Sequence, residues 1–142
     1  MDAQAVAEKV RDVMLADDAA SRMLGLQIVD VSPGRAVATM TVRADMLNGF
    51  AICHGGLIAT LADSAFAFAC NARNALTVAS GFGIDILKSA KLNDVLTATA
   101  EETSLAGRTG LYDITVRNQN GDLIAMFRGR SYRLGEKKVF ES

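Results

Sequence analysis

The spacing of apolar positions changes character twice along the chain. Residues 3–15 set Val6, Val10, Val13 and Met14 on one side and Glu8, Lys9, Arg11 and Asp12 on the other, which predicts an amphipathic helix. Asp17-Asp18 reads as the start of a second short helix that ends near Gly25. Residues 26–32 then read as extended, and Ser32-Pro33-Gly34-Arg35 as a turn. Residues 36–43 alternate, with Val37, Thr39 and Thr41 against Ala38, Met40 and Val42, as a strand does. Residues 45–52 read as a loop. From His54 to Asn71 the pattern is a long helix, apolar nearly all round, which has to be covered on several sides. Strands are predicted over 76–88, 95–104, 110–117 and 123–134. The last two flank a strong hairpin turn, Asn118-Gln119-Asn120-Gly121-Asp122. The polar tail, 136–142, is expected to fray.

This order predicts a single α+β domain over 1–142. An antiparallel sheet of about six strands wraps one buried helix, and its last four strands are expected to run as a meander. No βαβ alternation points to a doubly wound parallel sheet, and no repeat or linker divides the chain.

Composition narrows the function. Half of the 142 residues are hydrophobic, 22% are charged, and the formal net charge is −1. No basic run offers a field for nucleic acid. The apolar stretch from 57 to 70 is broken by Thr60, Asp63 and Ser64 and is too short to span a bilayer. The first residues, Met1-Asp2-Ala3-Gln4, have no basic region ahead of an apolar one, so no secretory leader is expected. Cys53 and Cys70 read as reduced thiols, and a cytoplasmic location is expected.

Candidate chemistry gathers in one segment, Asn48-Gly49-Phe50-Ala51-Ile52-Cys53-His54-Gly55-Gly56, and in the helix that follows. Gly55 and Gly56 leave backbone N–H groups open at the positive end of a helix dipole, where an anion or a carbonyl oxygen can bind. Close packing of the helix start on a strand explains two glycines equally well. Asp63 is a carboxylate in an apolar helical run, and such a group is costly to keep without a partner or a use. It lies nine residues after His54, which is about 900° of helical rotation and roughly 13 Å along the axis. The two side chains therefore face opposite sides. If both serve one site, they come from two subunits. His54, the only histidine, reads either as a cap or as a group that handles a proton. Adjacent Cys53 and His54 make neither a metal site nor a convincing nucleophile pair. Asn48-Gly49 is a turn, or a source of an amide that orients water or a carbonyl. Lys88, Lys91, Arg108, Arg128 and Arg130 are candidate phosphate ligands or members of a solvated face.

Taken together, these residues resemble the hotdog-fold thioesterases, and among them the phenylacetic acid degradation thioesterase subfamily. The likeness is carried by Asp45-Met46-Leu47-Asn48-Gly49, Cys53-His54-Gly55-Gly56, Leu61-Ala62-Asp63-Ser64-Ala65-Phe66-Ala67, Gly107-Arg108-Thr109 and Phe127-Arg128-Gly129-Arg130-Ser131. It covers roughly residues 20–134. The resemblance implies a hotdog fold, a curved six-stranded sheet around a helix at about 54–71. It also implies an acyl-CoA thioesterase acting on aryl-acetyl-CoA such as (hydroxy)phenylacetyl-CoA, without cofactor or metal. Homodimers with sites at the subunit interface, paired into homotetramers, are expected. On this reading the Gly55 N–H polarises the thioester carbonyl. Asp63 of the partner subunit acts as general base or nucleophile, and His54 and Asn48 position carbonyl and water. Gly56, Ser64, Gly83, Lys88, Arg108, Thr109 and Arg128 are the expected substrate contacts. Some relatives carry a Ser or Thr that orients the water, where this chain has Gly83; Ser64 is the substitute. The alternatives are a hotdog dehydratase or hydratase acting on acyl thioesters, and a non-catalytic acyl-CoA-binding module.

Overall fold

The computed structural model describes residues 1–141. Helix α1, Ala3–Ala16, begins where the Asp2 carboxylate accepts from the Ala5 N–H at 2.8 Å. Helix α2, Ala19–Leu24, is capped the same way by Asp18 and stops at Gly25, whose φ of +68° suits glycine at a helix end. Strands β1 (Gln27–Ser32) and β2 (Arg35–Thr41) follow, then a 3-10 turn at Ala44–Met46 and the long helix α3, Gly55–Asn71. Strands β3 (Thr77–Ile86), β4 (Val95–Ala106), β5 (Thr109–Arg117) and β6 (Leu123–Arg133) complete one six-stranded sheet.

The spatial order is β1-β2-β4-β5-β6-β3, antiparallel throughout. The expected meander of the last four strands is therefore only partly right. Strands β4, β5 and β6 do run side by side, but β3 pairs with β6 at the far edge. Alternation and turn residues specify strands, not partners. The connection 87–94 reaches about 26 Å when extended, ample for the three strand spacings, about 14 Å, that separate β3 from β4.

The sheet wraps α3. Ile58, Leu61, Ala62, Ala65, Phe66, Phe68 and Ala69 are its buried positions. Facing them are small residues in register, Ala36 opposite Ala100 and Ala38 opposite Ala98, all fully buried. These let the helix sit close to the strands. Gly129 on β6 marks the tightest approach: a Cβ there would lie 2.7 Å from the Phe66 ring. Phe66 in turn packs against Tyr112 and Phe127 at ring-centroid distances of 5.4 and 6.0 Å.

The tail corrects the second expectation. Asn74, in the left-handed region at φ +64°, receives the Val139 and Phe140 N–H groups on Oδ1 at 3.0 Å each and donates from Nδ2 to the Phe140 carbonyl at 2.9 Å. Lys137 accepts from Leu76 N–H at 3.0 Å, and Lys9 of α1 lies 4.5 Å from the Phe140 ring centre. A polar tail frays only where nothing holds its backbone, and one asparagine far away in sequence holds this one. Ser142 lies outside the described residues.

Gly129→Ala is expected to lower stability by about 1–3 kcal/mol in chemical denaturation, because Phe66 must leave its rotamer. Gly83→Ala, where a Cβ meets nothing within 4 Å, is expected to change it by less than about 0.5 kcal/mol.

Candidate active site

The start of α3 is held rigidly before any ligand is considered. Cys53 N–H donates to the Ala90 carbonyl and His54 N–H to the Met46 carbonyl, each at 2.8 Å. His54 is the N-cap: its Nδ1 accepts from the Gly56 N–H at 3.3 Å. Leu57 and Ile58 N–H groups both turn to the His54 carbonyl, at 3.0 and 3.4 Å. Among the described residues the Gly55 N–H is left without a partner. One free donor thus remains at the positive end of a seventeen-residue helix, where it can polarise a carbonyl oxygen. Close packing accounts for Gly55 on its own, since a Cβ there would come 2.8 Å from Ile86 Cδ1 of β3. The cap also fixes the histidine. The imidazole itself is exposed at the surface, beside the Gly55 donor.

Asn48 likewise combines two roles. Its Oδ1 accepts from Phe50 N–H at 2.8 Å and Ile52 N–H at 3.4 Å, closing the loop that leads to His54. Its Nδ2 has no partner among the described residues and remains available as a donor.

Asp63 sits half-buried on the other side of α3. It lines a pocket of ≈320 Å³ together with Met14, Phe66, Leu76, Val78 and Val139. Neither His54 nor Gly55 contributes to that pocket, as the helical rotation requires. Burial pushes the Asp63 carboxyl above the ordinary carboxylate range, with no hydrogen bond or cation to offset it. Beside it the Cys70 thiol, by burial first and by the Asp63 charge in smaller part, is pushed up to about 12, so it stays a neutral thiol.

The expected substrate contacts scatter. Ser64 adjoins Asp63 and is half-buried, with no side-chain hydrogen bond among the described residues. Gly83 pairs with Arg128 on the outer face of the sheet, away from the Asp63 pocket, whose β3 lining is Thr77, Val78 and Ala79. Arg128 is held by Asp113 through two bonds of 2.7 and 3.0 Å, and Lys88 by Asp122 at 2.8 Å. Thr109 donates its hydroxyl to the Ala106 carbonyl at 3.0 Å. Arg108 makes no such bond. It lines a second pocket, ≈270 Å³, with Arg73 and Arg133. Arg73 is shared with Glu102, while the buried Nε of Arg133 has no partner. Arg73 and Arg133 escape a reading of the sequence because they join Arg108 only through the sheet order. A backbone bond of 2.8 Å from Arg133 N–H to the Arg108 carbonyl brings the two together.

A six-stranded sheet curled on a helix that begins His-Gly-Gly and carries a half-buried aspartate on its uncovered face is the arrangement of a hotdog-fold thioesterase. The Thioesterase superfamily profile matches residues 50–125, more than half of the chain. The chain belongs to that superfamily and hydrolyses thioester bonds. It is 47% identical over 122 residues to the acyl-coenzyme A thioesterase PaaI of Escherichia coli, covering 86% of this chain and 87% of that protein. The structure of the E. coli PaaI protein from the phenylacetic acid degradation operon superposes with a TM-score of 0.93 at 43% identity, over 96% of this chain and 99% of that one. A Streptococcus mutans protein bound to acetyl-CoA superposes at 0.76 with 27% identity, over 80% and 91% of the two chains.

Replacing Asp63 separates its cost from its use. A carboxyl raised in the folded state destabilises the fold once it ionises. The penalty is absent below the unfolded value of about 3.9, grows as pH rises, and is complete above the folded value. Asp63→Asn is therefore expected to raise the Tm at neutral pH and to leave it unchanged near pH 3, measured by thermal unfolding at both.

Proposed function

We propose that the chain hydrolyses aryl-acetyl-CoA, such as phenylacetyl-CoA or its hydroxylated forms, at sites shared between two subunits. The observation that carries the reading is Asp63: a half-buried carboxylate, raised by burial, with no partner of its own. The substrate class rests on the likeness to the E. coli protein of the phenylacetic acid degradation operon.

In this mechanism the thioester oxygen accepts the free Gly55 N–H, which stabilises the oxyanion as it forms. His54 and the Nδ2 amide of Asn48 orient carbonyl and water. Asp63 of the partner subunit takes a proton from the water, whose oxygen attacks the carbonyl carbon. The C–S bond then breaks, and the departing CoA sulfur takes that proton from Asp63. A raised carboxyl is a stronger base, which suits the role. Arg108, with Arg73 and Arg133, supplies charge for CoA phosphates.

Two surfaces support the dimer. Strand β3 is an unpaired edge that exposes Val78, Phe82 and Ile86, followed by Leu87. An edge of that length and hydrophobicity calls for a partner. On α3, Thr60, Asp63, Ala67 and Cys70 form a half-buried stripe that the chain's own sheet leaves open. Dimers pair into tetramers on the family pattern. Free, reduced Cys53 and Cys70 accord with a cytoplasmic location.

Thiol release from phenylacetyl-CoA tests the proposal. Asp63→Asn is expected to lower kcat by at least about 100-fold while the variant remains folded. The acid limb of the wild-type rate profile should fall above the ordinary aspartate value. Full activity in the variant removes Asp63 from the chemistry.

A further inference from the structure

The pocket beside Asp63 bears on which acyl groups the enzyme accepts. Resting on the thioesterase reading above, we propose that Val139 of the C-terminal tail, seated with Met14 of α1, is the wall that sets the size of the acyl group. Three observations converge on it.

The first is chemical. The carbonyl carbon attacked by water must lie next to Asp63, so one arm of the thioester enters whatever space adjoins that carboxylate. That space holds Met14, Phe66, Leu76, Val78 and Val139, and its polar members (Cys70, Asn71 and Thr77) are all uncharged. Asn71 is spent on structure, its Nδ2 donating to Ala67 and Thr77 carbonyls and its Oδ1 accepting from Thr77 N–H. A CoA arm brings phosphates and would find no cation here. The apolar acyl arm fits this cation-free space, while the pocket lined by Arg73, Arg108 and Arg133 adjoins it through Cys70 and Thr77 and takes the charged arm.

The second is size. A volume of ≈320 Å³ exceeds the roughly 150 Å³ that admits benzene into an apolar cavity. A phenyl ring with its methylene fits, and so does a ring hydroxyl.

The third is where the wall comes from. Phe66, Leu76 and Val78 are fixed by the helix, the sheet and their join. Met14 and Val139 belong to the two ends of the chain, and both lie outside the segment 50–125 matched by the family profile. They are nevertheless placed firmly. The three hydrogen bonds from Asn74 hold the backbone of Val139 and Phe140, and Lys9 over the Phe140 ring ties the tail to the helix that carries Met14.

The test compares kcat/KM for acetyl-, hexanoyl-, decanoyl- and phenylacetyl-CoA in the wild type and three variants. Val139→Phe fills the pocket. It is expected to lower the phenylacetyl-to-acetyl ratio by about tenfold or more, the usual weight of a few carbons in an apolar pocket. Val139→Ala opens it and should raise the decanoyl-to-phenylacetyl ratio by about three- to tenfold. Asn74→Gly keeps the left-handed backbone without strain and removes the clamp; its ratios should shift as those of Val139→Ala do. Thermal unfolding confirms that each variant folds. Ratios that stay within about twofold of wild type in every folded variant overturn the proposal and leave the thioesterase reading intact. If the wild type cleaves none of the four, the thioesterase reading fails. The wall is then judged by calorimetric binding of the non-hydrolysable methylene analogue of phenylacetyl-CoA. Val139→Phe should weaken that binding by about tenfold, and equal affinity overturns the proposal.

Discussion

The whole molecule answers to one constraint: α3 is apolar on nearly every face and cannot be left in water. The chain covers it with a sheet of six strands, brought close by paired alanines on β2 and β4 and by Gly129 against Phe66. This six-stranded sheet is open, with β1 and β3 at its edges, and leaves part of the helix uncovered. The remaining stripe, Thr60, Asp63, Ala67 and Cys70, is only half-covered. The carboxylate stands on that uncovered face, and the unpaired edge strand β3 lies at the end of the same sheet. The proposed dimer rests on this open stripe and on the free edge of β3.

The start of α3 shows how structural and chemical roles coexist in one residue. By capping the helix through Nδ1, His54 satisfies the Gly56 N–H, and the Gly55 N–H beside it is left without a partner among the described residues. Asn48 does the same, spending its oxygen on the loop and keeping its amide hydrogens free. Asp63 has the opposite character. Nothing binds it, and that isolation raises its basicity.

Much of this was legible in the sequence because it follows from local periods. The long helix was placed to within a residue, and its strands to within a few. The separation of His54 from Asp63 followed from 3.6 residues per turn alone. What escaped was non-local. Nothing in residues 87–94 says that β3 crosses to β6, and nothing in Glu136–Phe140 says that Asn74 will hold it. Arg73 and Arg133 joined Arg108 for the same reason, through sheet order. Gly83, placed by counting along β3, falls on the outer face; Ala79 and Gly81, with a register shift between them in the pairing to β6, show why counting misleads there.

The central claim, that each site takes its carbonyl-binding half from one subunit and its base from the other, has a direct test by subunit mixing. Asp63→Asn and His54→Ala proteins are each expected to be nearly inactive alone. Unfolded together in equal amounts and refolded, they form mixed dimers in which one of the two interface sites carries neither substitution. Thiol release should then return to about a quarter of the wild-type rate, since half of the dimers are mixed and each has one intact site. A mixture no more active than its two parents would contradict a shared site and place Asp63 and His54 in the service of one subunit.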